Sequence, residues 1–357
     1  MSLVDITGAR LQNQRLSSAG FAKPEDLVSW LGAVQAQDYS GAKWAVALRM
    51  RRPTDTAIER AFTSGAILRT HVLRPTWHFV APADIRWMLA LTAPRVKAAM
   101  ARYDRQLGLD ADTYKRSHKA LARALHGGVQ LTRQELKHAL ERAGVAAGGV
   151  QRLAHLVMRA ELDGLICSGG RREKQFTYAL LDERVPASRG LTRDEALAEL
   201  SRRYFTSRGP AQVGDFAWWS GLTAADAGAG LAMVESRLAR DVIDGKTYWF
   251  SPPARTSPRA PRDAYLLPLY DEYLIAYKDR TAALGPAGWT RIAENAPFIA
   301  PIVVSGRVVG GWTRTLEKHR VLITIAPLAP FTRASTRAIR SAAVAYADFL
   351  GLDLAVS

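Results

Sequence analysis

Two amides and a carboxylate fall close together in Gln35-Ala36-Gln37-Asp38. An amide is no base at neutral pH, but its carbonyl can orient a water and its dipole can face developing positive charge. Asp38 is the rival as general base, and serves equally as an Asx-type cap closing a helix end. Upstream, Pro24 suits a first helical turn, and Glu25 and Asp26 suit the positive end of its dipole. Leu27, Trp30, Leu31 and Val34 follow at i, i+3, i+4 and i+7. On a continued helix the two glutamines would point roughly 200° apart and share no task. A shared task therefore requires the helix to stop near Gln35. Otherwise both are a polar helix end in solvent.

The elements that must position these residues fall into four stretches. In residues 1–107 the pattern predicts a helix over 5–20, with Arg10 and Arg15 on its polar side. A helix or extended run at 43–49 buries Trp44, and a helix over 55–64 is capped at Thr54-Asp55 and stopped by Gly65. Strand-like runs 66–71 and 76–80 flank Leu73-Arg74-Pro75, and Pro82 opens a basic helix over 83–107. Residues 108–185 hold helices at 113–126, from Thr132 with Glu135 at the capping-box position, and at 150–163. The third of these turns Leu153, Leu156, Val157 and Ala160 inward and Gln151, Arg152, His155 and Arg159 outward. Strands 165–168 and 175–180 enclose a basic loop carrying Arg171, Arg172 and Lys174.

Residues 186–252 repeat the order, ending in a hairpin over 240–250 that turns at Asp244-Gly245. Their third helix, from Ala224, is small and acidic, which makes this copy a scaffold. A basic proline-rich connector, 251–263, leads into the last stretch, 253–357. Strands are expected there at 300–305, 307–313 and 320–326, with a turn at Ser305-Gly306 and a final helix over 333–349. The fold class is α+β, mainly α: three tandem winged helix-turn-helix units and a small C-terminal antiparallel β/α region with a β-hairpin.

Lys plus Arg number 49 against 33 for Asp plus Glu, a net charge of +16 over 357 residues. The isoelectric point near 10.2 points to a polyanionic partner, above all nucleic acid. The single cysteine, Cys167, excludes an internal disulfide and an all-cysteine metal site, and reads as a half-buried structural thiol. The seven histidines lack metal-binding spacing, so no metal is expected. No cofactor is expected either, because phosphate-cradling glycine loops and a Gly-x-Ser-x-Gly elbow are both absent from the sequence. No secretory signal or membrane-length apolar run is read, which places the chain in the cytoplasm with the nucleoid. His71 and His78, seven residues apart on strands, face opposite sides, so at most one shares the site. Asp271-Glu272 beside Lys278 and Arg280 could be an acid pair, but reads better as surface ion pairs.

Four motifs in order, Gln35-Ala36-Gln37, Leu73-Arg74-Pro75-Thr76-Trp77-His78, Leu267-Pro268-Leu269-Tyr270-Asp271-Glu272 and Gly306-Arg307-Val308-Val309-Gly310-Gly311-Trp312, resemble the winged-helix DNA glycosylases of the AlkZ and YcaQ type. The resemblance covers nearly the whole chain. Gln35-Ala36-Gln37 matches the Gln-aliphatic-Gln motif of the AlkZ-like branch, with a small residue in the middle that leaves room for a changed lesion range. The resemblance implies a basic channel for damaged double-stranded DNA, a C-terminal hairpin that probes the duplex, and cleavage of the N-glycosidic bond of alkylated purines, interstrand crosslinks included. Gln35 and Gln37, with Asp38 as a further candidate, would be catalytic. Arg74, His78, Arg152, Arg159, Arg171, Arg172, Lys174, Arg307 and Trp312 would contact DNA, and a monomer suffices. A non-catalytic winged-helix DNA-binding protein, a regulator or lesion-binding factor, fits the same basic balance. An RNA-binding module lacks its stacked aromatic signature.

Overall fold

The computed structural model describes residues 3–17, 20–187, 190–252, 264–285 and 299–356, and one order of elements occurs in it three times. Helix α1 (Leu3–Asn13) precedes the first copy, which comprises α2 (Pro24–Leu31), β1 (Val34–Gln35), α3 (Tyr39–Ala47), α4 (Asp55–Ser64), β2 (Leu68–His71) and β3 (Trp77–Val80). Its sheet is ordered β1-β3-β2. The long α5 (Pro82–Gln106) leads to the second copy: α6 (Ala111–Leu125), β4 (Leu131–Thr132), α7 (Arg133–Arg142), α8 (Val150–Leu162), β5 (Ile166–Arg172) and β6 (Gln175–Leu180). That sheet runs β4-β6-β5, the same order. After the short α9 (Leu181–Arg184) come α10 (Arg193–Arg208), α11 (Val213–Ser220), α12 (Ala224–Ala232) and the hairpin β7 (Ala239–Ile243) and β8 (Lys246–Phe250). A single bridge between Ala211 and Trp249 stands where the first strand would be.

Local chemistry explains most boundaries. Gly32, at φ 75, stops α2 before the glutamines, as their shared task requires. Thr132 and Glu135 make the reciprocal cap of α7, and Asp244-Gly245 turns the third hairpin with both residues at positive φ. The basic loop at 169–174 is mostly strand. A bulge between Ser168 and Arg171 takes up Gly169-Gly170, and the turn falls at Glu173-Lys174. The reason is close packing: a Cβ at Gly169 would lie 2.3 Å from the Thr177 hydroxyl. Helix α1 is shorter than its periodicity predicts, and Arg10 is buried rather than solvated. Its guanidinium lies over the Tyr277 ring and its Nε donates to the Pro210 carbonyl.

The C-terminal region contains β9 (Ala264–Leu266), α13 (Glu272–Ile275), α14 (Thr281–Leu284), β10 (Ala300–Val304), β11 (Arg307–Leu316), β12 (Arg320–Pro327), α15 (Arg333–Leu350) and β13 (Asp353–Val356). Residues 253–263 of the connector lie outside the described residues. The sheet is ordered β13-β12-β11-β10-β9 and is mixed, because α15 returns the chain so that β13 joins β12 in parallel. This region is no appendage. Trp44 of α3 packs on Tyr346 and Phe349 of α15, and Trp312 of β11 joins them in one core with Leu27, Val34 and Phe79. The opposite face of the first sheet, through Ala33, Leu68 and Val80, shares a core with Leu200, Phe205 and Trp219 of the third copy. The second copy keeps a core of its own, Leu121, Leu136, Leu156 and Val157 among its members. The glutamine strand is therefore wedged between three parts of the chain.

Candidate functional site

Beyond Gly32 the chain runs extended, so Gln35 and Gln37 fall on one side and Ala36, fully buried, on the other. Both glutamines reach the same segment. Gln35 Oε1 accepts from Arg74 Nη2 at 3.4 Å, and Gln37 Oε1 accepts from the Trp77 N–H at 3.5 Å. These contacts lie at the outer limit of hydrogen bonding, and each carbonyl keeps a second lone pair. The amides are thus oriented without being saturated, Gln35 half-buried and Gln37 exposed. Asp38 caps α3 by accepting the Gly41 N–H at 3.1 Å.

The segment they reach is held tightly. Leu73 sits at φ 65, and the Arg74 and Thr76 N–H groups each close back on the carbonyl two residues earlier. Gly221 lies so close that a Cβ there would be 2.3 Å from the Leu73 carbonyl oxygen. His78 stands opposite Gln35 across the β1–β3 pair. Its Nδ1 lies 2.9 Å from the Thr76 carbonyl and must carry the hydrogen. Burial, and then the Arg74 cation, push its pKa well below the usual histidine range, so it is neutral and cannot serve as a phosphate cation. His71 lies on the other face, bonded to Glu161 and packed on Trp77.

The free edge of β1 is occupied by a buried ion pair. Glu272 Oε1 accepts the Gln35 N–H at 3.1 Å, while its Oε2 takes Arg208 Nη2 at 2.6 Å and Trp219 Nε1 at 2.9 Å. Arg208 donates in turn to the carbonyls of Leu31 and Ala33, at 2.6 and 2.9 Å. The neighbouring Asp271 forks onto Arg49 with both oxygens, at 2.7 and 2.9 Å. All four side chains are fully buried. The expected surface ion pairs at Asp271-Glu272 are thus interior ones, and neither Lys278 nor Arg280 takes part. The partners lie far away in sequence, which is why local charge patterning missed them.

A cleft of about 700 Å³ opens between the first and second copies, on the Trp77 face of the first sheet and lined by neither Gln35 nor Gln37. Its lining includes Trp77, Phe176 and Tyr178 and the cations Arg69, Arg133, Lys137 and Lys174, with no carboxylate. Arg69 lies over the Trp77 and Phe176 rings and donates to the Ala36 carbonyl, so one side chain joins the cleft to the motif. Lys174 and Trp77 fall inside stretches that the sequence marks out. Arg133 and Lys137, one helical turn apart on α7, escape the sequence reading, which gives the phosphate contacts to α8 as the third helix of its unit.

The outward face of α8 is largely used internally. Arg152 donates to the carbonyls of Ala146 and Leu107, Arg159 pairs with Asp163 over the Tyr114 ring, and His155 bonds Asp104 of α5. Arg171 lies over Tyr39 and Phe176, and Arg172 pairs with Glu135 at 2.7 Å. Trp312 is a core residue, 1% exposed, donating to the Leu267 carbonyl, and has no access to a duplex. Arg307 is exposed, but the Ser305-Gly306 turn beside it is docked: the Tyr273 hydroxyl donates to the Gly306 carbonyl, and Thr7 packs on the glycine. The exposed turn is the next one, Glu317-Lys318-His319, between β11 and β12. Among the described residues no cluster of three or more His, Cys, Asp or Glu is placed to hold a metal, and no helix is long and apolar enough to cross a membrane.

The molecule thus combines a Gln-x-Gln strand, a basic aromatic cleft on the other face of its sheet and a thrice-repeated order of elements. The interstrand DNA cross-link repair glycosylase of Streptomyces sahachiroi is 28% identical over 328 residues, covering 85% of each chain. The solved structure of Streptomyces sahachiroi DNA glycosylase AlkZ shares the fold over 100% of both chains, with a TM-score of 0.82 at 23% identity. The profile of the family described as "DNA glycosylase AlkZ-like" matches residues 28–349, which takes in the glutamine strand, the cleft and both buried ion pairs. This chain belongs to the AlkZ-like DNA glycosylase family.

Proposed function

We propose that this protein hydrolyses the N-glycosidic bond of N7-alkylated purines in duplex DNA, including purines tethered in interstrand crosslinks. The observation that carries this reading is the convergence of the Gln35 and Gln37 carbonyls on the Arg74–His78 segment, while a cleft lined by cations and aromatic rings on the other face of that sheet supplies a place for phosphates. An N7-alkylated purine is already cationic and leaves without a general acid. What the protein must supply is a water below C1′ and a dipole facing the oxocarbenium-like sugar. Unsaturated amide carbonyls do both. Asp38, tied up as a cap, is left a supporting role rather than that of general base.

The three repeated units are read as tandem winged helices, at 1–107, 108–185 and 186–252, closed by the region 253–357. Damaged duplex lies against the first two, its phosphates on Arg133, Lys137 and Lys174 and beside Arg74. In this scheme the exposed β11–β12 turn with Lys318 probes the helix, because the Ser305-Gly306 turn beside Arg307 is docked on Tyr273 and Thr7. One chain carries every group this scheme needs, so it acts as a monomer, in the cytoplasm with the nucleoid. The test is release of 7-methylguanine from duplex DNA, with a crosslinked duplex alongside. Wild type should release base, and Gln35→Ala with Gln37→Ala should lose roughly a hundredfold or more of that rate while remaining folded and bound. Undiminished release by the double variant would refute the assigned mechanism.

A further inference from the structure

We propose that the buried Arg208–Glu272 pair is a positioning device for Gln35, holding the catalytic strand by its backbone. The claim that Gln35 needs placing for chemistry rests on the function proposed above; the claim that the pair holds the strand does not. Strand β1 spans only two residues and has a single ladder partner, β3. Its outer edge would otherwise present backbone groups with no partner. Along that edge the Leu31 and Ala33 carbonyls go to Arg208 and the Gln35 N–H goes to Glu272, three alternate residues taken by one ion pair. Charge-assisted bonds of this kind are short and directional. They fix the Gln35 backbone from a side that substrate cannot occupy.

The neighbouring carboxylate completes the arrangement. Asp271 accepts the Tyr273 N–H to start α13, and grips Arg49 just past the end of α3. Adjacent residues 271 and 272 therefore tie down the chain on both sides of the glutamine motif, at 31–35 and at 49. A buried ion pair is seldom more stabilising than apolar side chains of similar volume. Stability alone gives no reason to place two of them here. The placement of Arg208–Glu272 along the edge of one short strand, with Arg49–Asp271 anchoring the adjacent carboxylate-bearing residue, does.

Two variants separate positioning from mere structural support. Arg208→Met combined with Glu272→Leu removes both charges and keeps the volume, so the fold is retained while the hold on β1 is lost. Glu272→Gln keeps a carbonyl that can accept the Gln35 N–H but leaves Arg208 buried and unpaired. The readouts are amide hydrogen exchange at residues 31–37, thermal midpoint, duplex affinity and single-turnover excision by the full chain. In the double variant Gln35 should exchange at least about tenfold faster, with strands β2 and β5 unchanged. Excision should fall at least about tenfold, with affinity held within about twofold. Glu272→Gln, although less stable, should excise faster than the double variant. Support through charge balance alone predicts the reverse order and would overturn the proposal. So would unchanged Gln35 exchange in the double variant, or faster exchange with undiminished excision. If wild type released no base from any lesion, the glycosylase reading would fall, and exchange at Gln35 alone would decide whether the pair holds the strand.

Discussion

Gln35 and His78 face each other across the β1–β3 pair, one a candidate catalytic amide and the other a fully buried, neutral imidazole. The neutrality has a thermodynamic consequence. Burial and Arg74 hold the His78 pKa in the folded protein well below its unfolded value near 6.5. Below pH ~6.5 the unfolded chain takes up a proton that the native chain refuses, so the contribution present above that pH is lost as the pH falls. His118, also lowered by burial, acts in the same direction. Stability should decline by up to about 1.4 kcal/mol per pH unit for His78, and by less for the partly exposed His118. His78→Asn keeps a donor for the Thr76 carbonyl and removes one titration. Denaturation midpoints from pH 5 to 8 should show a steep acid slope in wild type and a shallower one in the variant. Equal slopes would mean that His78 titrates alike in both states.

Gly221 presses on the segment that both glutamines touch. Its φ of 69, and the 2.3 Å that would separate an added Cβ from the Leu73 oxygen, leave alanine no room. Gly221→Ala should destabilise by about 1–3 kcal/mol and shift Leu73 and Arg74 away from Gln35. The check pairs a thermal melt with the excision rate measured below the melting range. A variant that loses stability but excises at the wild-type rate would show that the strained turn is not coupled to the amides.

The cleft and the outward face of α8 make opposite predictions for binding. Lys137 and Lys174 line the cleft, Lys137 with only a long i,i+4 contact to Glu141 at 3.7 Å, whereas Arg152 and Arg159 make short bonds within the protein. Lys137→Ala and Lys174→Ala should each weaken duplex binding and reduce the slope of log affinity against log salt by about one. Arg159→Ala should leave that slope within error. Fluorescence-anisotropy titrations from low to physiological salt decide the matter, and the reverse ranking would return the duplex to α8.

Much of this site could be read before any coordinates. The amide pair, the need for the helix to stop before it, and the Leu73-to-His78 stretch all lie within short segments, and Gly32 stops α2 where required. Glu272 shows the limit. Next to Lys278 and Arg280 its carboxylate reads as a surface charge, yet its partners Arg208 and Gln35 stand 64 and 237 residues away. Trp312 fails in the opposite sense: its motif suggests a ligand face, and its indole closes a core shared with Trp44 and Tyr346.

The elements, their caps and turns, the threefold order and the candidate amides are all legible in the order of the residues. Those depend on side chains a few residues apart acting on their own backbone. Cys167 is a partial case. Its neighbours predict a half-buried structural thiol, and the structure buries it completely, pushing the thiol up to about 12. Packing settles which charges are interior, which helix lends its cations to the cleft, and that the C-terminal sheet shares a core with the first copy. Burial and ion pairing are properties of neighbours in space, and no local pattern records which distant segment will be that neighbour.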